Sequence, residues 1–126
     1  MKEMICANNA PAAIGPYSQA VKTEMMIFTS GQLPIDPQNG AMPEGIELQT
    51  RQSLLNIKAI LETAGATMAQ IVKTTVFLSD MNNFTKMNQV YNTFFSKGQY
   101  PARSAVEVAG LPKDAMVEIE AIACMR

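Results

Sequence analysis

The chain has 126 residues, of which 48% are hydrophobic and 17% charged, with a formal net charge of −1. That is enough apolar material for one core, so one domain spanning residues 1–126 is expected, and the interspersed charges form no basic stripe for nucleic acid. The N-terminal residues lack the apolar core of a secretory leader and no run of about eighteen apolar residues spans a membrane, so a cytoplasmic protein is expected, with no nucleic-acid or membrane partner.

Residues 2–6 read as a short strand, and residues 8–16 as a loop from their Asn, Pro and Gly content. Residues 17–22 and 25–30 are extended runs on either side of Thr23-Glu24, a hairpin pattern. Residues 31–45 hold Pro34, Pro37, Pro43, Asp36-Pro37 and Asn39-Gly40, and read as a long loop. Residues 46–64 are the clearest helix: Thr50, Leu54, Ile57, Leu61 and Ala64 recur at spacings of three and four, and Gly65 stands where the helix should stop.

Residues 71–78 read as a strand, with Val72, Thr74, Val76 and Leu78 on one side and Lys73, Thr75 and Phe77 on the other. Asp80 is a candidate N-cap for a second helix running to about Phe95, with Phe84, Met87, Tyr91 and Phe94 as its apolar stripe. Residues 102–108 and 116–124 are two further strands. The order β-ββ-α-β-α-ββ predicts an α+β fold: a mixed six-stranded sheet with two helices on one face. The other face is expected to carry Phe77, Ala105, Ile122 and Cys124 beside Arg103, Glu107, Glu118 and Glu120. That mixture is too apolar for water and too charged for a plain core, and an oligomer that buries it is the physical solution.

The chain has no histidine, which removes Ser–His and Cys–His nucleophile pairs and His-bound metals. The expected chemistry rests on Arg103 and the glutamates of the last strand. If the last two strands pair as a hairpin, these groups share one surface. Two readings stay open: an interface network of ion pairs, or a site in which Arg103 forks onto a carboxylate and a Glu handles water or a proton. Gly31, in "TSGQLP", permits close backbone approach to a ligand beside the Ser30 hydroxyl, or simply makes a turn. Tyr17, after Gly15-Pro16, packs or walls a pocket. Asn88, at the edge of the second helix's stripe, is either buried with partners or reaches into a site. Cys6 and Cys124 read as reduced, buried, small apolar side chains, and the ten methionines as core filler.

The segments "GPYSQAV", "TSGQLPIDP", "RQSLLNIKAILETAGA", "IVKTTVFLSDMNNF" and "YPARSAVEVAGLPKDAMVEIEAIA" together resemble the Rid (YjgF) family, in particular its RidA branch, almost end to end. The resemblance implies a chorismate mutase-like fold and a homotrimer with three clefts between subunits. It implies hydrolysis of reactive 2-imino or enamine acids, such as 2-aminoacrylate, to 2-oxo acids and ammonia, with no metal or cofactor. Carried over by position, Arg103 in "PARS" is the arginine that binds the substrate carboxylate, and Glu118 in "EIEAIA" the acid that orients the attacking water. Tyr17, Ser30, Gly31 and Asn88 are cleft positions. Family members typically read "PARSCVEV", and Ala105 here replaces that cysteine; the backbone carbonyl at this position is what the family uses to hold the water. Two rival readings are a ribonuclease or translation inhibitor, and a non-catalytic module that binds small carboxylates.

Overall fold

In the computed structural model, which describes residues 1–125, the elements run β1 (Glu3–Ile5), β2 (Ala20–Lys22), β3 (Met26–Thr29), α1 (Ile46–Thr63), β4 (Ile71–Leu78), α2 (Phe84–Asn92), β5 (Ala102–Glu107) and β6 (Val117–Cys124). The six strands form one mixed sheet in the order β1-β2-β3-β6-β4-β5. Every neighbouring pair is antiparallel except β4 and β5, which run parallel because α2 carries the chain back between them. The α+β architecture expected from the element order is present.

Period-two alternation along β6 sets up the two faces. Val117, Ile119, Ala121 and Ala123 are buried, while Glu118, Glu120, Ile122 and Cys124 are only half-buried. The stripe of α1 covers the first set: Thr50, Leu54, Ile57 and Leu61 have essentially no solvent exposure. Burial of a Leu or Ile side chain contributes about 1.5–3 kcal/mol, so this face dominates stability. α1 stops where the sequence suggests, since Gly65 takes φ +90°, a conformation that a β-carbon disfavours.

α2 is shorter than its apolar stripe. The Asp80 carboxylate accepts the Asn82 N–H at 2.9 Å and caps a 3₁₀ turn (Met81–Asn83), after which the α-helix starts at Phe84. Beyond Asn92 the hydrogen bonds tighten to three-residue spacing, Thr93 N–H to Val90 and Phe94 N–H to Tyr91.

Several expectations change. The last two strands do not form a hairpin: β4 lies between β5 and β6 and pairs with both. Arg103, Ala105 and Glu107 do share a side, but it is the helix-covered one. The parallel register sets Arg103 against Thr74, Ala105 against Val76 and Glu107 against Leu78, and cross-strand partners share a face; Thr74, Val76 and Leu78 are all buried beneath the helices. Val72 leaves the stripe assigned to it, because the register with β6 slips between Ile71 and Lys73 and leaves Val72 as a bulge, 45% exposed. Cys6 is exposed, and Met87 is the fully buried methionine, while Met1, Met4, Met25 and Met81 are exposed. The two half-buried side chains of β6 that are apolar or sulfur-bearing, Ile122 and Cys124, lie with Glu118, Glu120 and Phe77 on the face without helices, as expected.

Buried amides hold the irregular segments. Asn56, 1% exposed on α1, donates to the carbonyls of Leu33 at 3.1 Å and Ile35 at 2.9 Å. Gln19 accepts the Ala7 N–H and donates to Ala7 and Pro11 carbonyls. These bonds take the backbone after Gly15 out of the strand read for residues 17–22, so Tyr17 precedes β2 and is 52% exposed.

Candidate active site

Two clusters of polar groups lie on opposite faces of the sheet. The first is on the bare face. Past β3 the chain bonds again to β6, through Gln32 N–H to Ile119 O at 2.7 Å and Ile119 N–H to Gln32 O at 3.2 Å. This bridge places Gly31 directly beside the Glu118 side chain. A β-carbon built at Gly31 would lie 2.8 Å from the Glu118 carboxyl carbon and closer still to Oε2. Only glycine leaves room for the carboxylate where it stands. The Ser30 hydroxyl donates to the Ser18 carbonyl at 2.6 Å, which ties the segment carrying Tyr17 to the end of β3. Gly31 and Glu118 are thus in direct contact, with Ser30 next to Gly31 in the chain, while Tyr17 stands one residue before the Ser18 carbonyl that Ser30 bonds. Burial, and then the neighbouring Glu120 charge, push the Glu118 carboxyl above the usual carboxylate range.

The second cluster is on the helix face, at the β5 edge. Arg103 Nη1 donates to Asn88 Oδ1 at 2.6 Å. Its guanidinium carbon lies 4.7 Å from the Tyr91 ring centroid and 5.4 Å from that of Phe84, distances at which a cation is attracted to an aromatic face. Phe84, Asn88 and Tyr91 are spaced by four and three on α2, so one helical stripe makes the whole cradle. The cradle opens into a cleft of about 640 Å³, lined by Asn88, Tyr91, Asn92, Tyr100 and Arg103 among others. Glu107, offered by the sequence as an ion-pair partner for Arg103, instead accepts the Met81 N–H at 2.7 Å. Ala105, two residues along, packs against the core. β5 is paired on one side only, so part of its backbone faces an open edge.

Arg103 and Glu118 are therefore brought to opposite sides of one sheet, and Asn88 and Ala105 go with Arg103. What each cluster can do is distinct. A guanidinium carries five N–H donors; with one held by Asn88, a fork remains for a carboxylate. A carboxyl of raised affinity for protons suits the handling of water. Among the described residues, no three of His, Cys, Asp and Glu converge as metal ligands do, and no helix is long and apolar enough to cross a membrane. The sequence reading missed Tyr91 and Phe84 as neighbours of Arg103, having given both to the core. The available signal was an amide between two aromatics on one helical stripe, a poor match for a purely apolar contact. Burial pushes the Tyr91 phenol above its ordinary value, outweighing the Thr74 hydrogen bond and the Arg103 charge that pull it down.

Comparison with known proteins finds relatives that match nearly the whole chain. A family model described as Endoribonuclease L-PSP matches residues 7–125. A Salmonella typhimurium protein named 2-iminobutanoate/2-iminopropanoate deaminase is 54% identical over 128 aligned positions, covering 100% of each chain. The crystal structure of the Escherichia coli YjgF gene product superposes with a TM-score of 0.95 at 53% identity, covering 98% of this chain and 99% of its own. Escherichia coli TdcF, solved with bound serine, superposes with a TM-score of 0.94 at 49% identity over 98% and 99% of the two chains.

Proposed function

This chain belongs to the endoribonuclease L-PSP family, also known as the Rid (YjgF) family, and on that premise we propose that it is an imine deaminase. It hydrolyses reactive 2-imino and enamine acids, such as 2-aminoacrylate, to 2-oxo acids and ammonia. The observations that carry this reading are a forked cation already held by Asn88 on one face and, on the other, a carboxyl packed against Gly31 whose proton affinity burial raises. Arg103 grips the substrate carboxylate. An enamine acid first tautomerises, gaining a proton at its β-carbon and losing one from nitrogen, and Glu118 then aims a water at the imine carbon, which is electrophilic enough to need no stronger nucleophile. As the C–O bond forms, the water's proton passes through Glu118 to the nitrogen. The resulting carbinolamine passes its hydroxyl proton through Glu118 to the amino nitrogen, and the C–N bond breaks to release ammonia as the C=O bond forms. Most of the acceleration is proximity and orientation. Tyr17, Ser30 and the Ala105 backbone wall the cleft, and the reaction belongs in the cytoplasm.

The two clusters cannot meet within one chain, since the sheet separates them. A neighbouring copy supplies the other half, in a chorismate mutase-like homotrimer with the bare faces inward. Phe28, 43% exposed, and Val106, 42% exposed, lie on or beside that face and are what the assembly would cover. The test is turnover of 2-aminoacrylate generated in place by a serine dehydratase, with oligomer mass measured on the same sample. Faster 2-oxo acid release by a species of about three times the 13.7 kDa chain mass is expected. An assembled trimer that leaves spontaneous hydrolysis unchanged refutes the deaminase, and a monomer refutes the shared cleft. An RNA control under the same conditions separates the ribonuclease reading.

A further inference from the structure

Tyr91 is 4% exposed, yet its two ends meet groups of different kinds. Its hydroxyl shares a 2.7 Å hydrogen bond with the Thr74 hydroxyl, itself 1% exposed. Its ring lies beneath the Arg103 guanidinium at 4.7 Å, and the Phe95 ring leans on it with centroids 4.8 Å apart, tilted by 40°. Thr74 and Arg103 are direct cross-strand partners in the β4–β5 register. The three residues therefore close a circuit: β5 to β4 by the sheet, β4 to α2 by the hydroxyl pair, and α2 back to β5 through the ring. An arginine side chain has four flexible torsions, and ordering it on binding weakens a ligand's affinity. Here the ordering is done before any ligand arrives.

We propose that Tyr91 is a positioning residue for Arg103, its ring holding the guanidinium where it meets the substrate carboxylate, and its hydroxyl serving only to anchor the ring to Thr74. This rests on the reading that Arg103 binds that carboxylate. The interaction acts through the negative face of the ring, so it should follow the ring's electron density rather than its volume. Because the carboxylate is held equally in the ground and transition states, loss of positioning appears in KM with kcat nearly unchanged.

The experiment compares Tyr91→Phe, the same position filled with a ring-fluorinated phenylalanine, and Tyr91→Leu, in the assembled protein. KM for 2-iminobutanoate generated in place is measured beside the Kd of the product 2-oxobutanoate. Tyr91→Phe should keep both constants near the parent value while melting earlier, since Thr74 loses its partner. The fluorinated ring should raise both constants stepwise with fluorine count, and Tyr91→Leu should raise them roughly 3- to 30-fold. A merely structural role would lower kcat by reducing the folded fraction and leave KM unmoved. If Tyr91→Leu does not fold, the fluorinated series, which keeps the shape, decides alone. Unchanged KM and Kd along that series overturn the proposal, as does a rise in Tyr91→Phe as large as in the fluorinated forms. Arg103→Ala is run alongside. Should it leave KM unmoved, the carboxylate reading itself fails; should it raise KM while the Tyr91 series does not, only the role of Tyr91 fails.

Discussion

Gly31→Ala is a perturbation that is small for the fold and large for the proposed chemistry. Gly31 is not among the glycines with positive φ, so alanine can adopt its backbone conformation. The conflict is with one side chain. The new methyl would sit 2.8 Å from the Glu118 carboxyl carbon, whereas carbon atoms rest at roughly 3.5–4.0 Å. The carboxyl group must retreat by about 1 Å, and it can, because it is the free end of a flexible side chain. Stability should change little: alanine also restricts the unfolded chain, worth about 0.4–1 kcal/mol in favour of folding, which offsets part of the local rearrangement. Catalysis should not be spared. Misplacing a water-orienting group by about 1 Å costs on the order of a hundredfold. The assay is paired: melting temperature and oligomer mass on one side, 2-aminoacrylate turnover on the other. An unperturbed trimer with a rate reduced by one to two orders of magnitude is expected. A folded trimer with near-parent turnover would refute the assignment of Glu118 and the reason given for Gly31.

Arg103→Lys keeps the charge but not the fork, and should lower kcat/KM roughly ten- to a hundredfold, through KM, with the trimer intact; an intact trimer with near-parent kcat/KM refutes the assignment of Arg103. Glu118 binds its proton more tightly folded than unfolded, so its contribution to stability declines as pH rises from the ordinary carboxylate value through the raised one. Glu118→Gln should therefore melt above the parent at pH 7.5, with the gap closing toward pH 4, although activity is lost; a gap independent of pH contradicts that origin. Asn56→Ala strands the Leu33 and Ile35 carbonyls and should destabilise by about 1–3 kcal/mol, with hydrogen exchange rising first in residues 33–41; uniform exchange across the chain would show that Asn56 does not pin that loop.

β6 was readable because its eight residues alternate strictly and one face is wholly buried, so period two maps onto inside and outside without ambiguity. β5 was not. Its alternation correctly groups Arg103 with Ala105 and Glu107, but in an edge strand whose other set is Ala102, Ser104 and Val106 neither group says which faces inward. That is decided by the pairing of Arg103 with Thr74, a contact between residues 29 apart in sequence. The same limit produced the hairpin error, since two strands separated by a short loop pair by default unless another strand intrudes. Val72 was lost to a bulge, which adds a residue without any mark in composition. The site residues themselves came from the resemblance. Local pattern offered Arg103 and the glutamates, and only the folded register showed that Arg103 and Glu118 stand on opposite faces.

That opposition has a genetic consequence. In the proposed assembly each cleft takes its arginine half from one subunit and its glutamate half from another. A chain lacking Arg103 and a chain lacking Glu118 are each inactive as pure trimers. Mixed at equal dose and assembled at random, they would leave about one cleft in four with both halves intact. Two null alleles of this gene would then complement each other within a single cell, while either allele opposite the parent would inactivate only half the clefts and behave as a recessive.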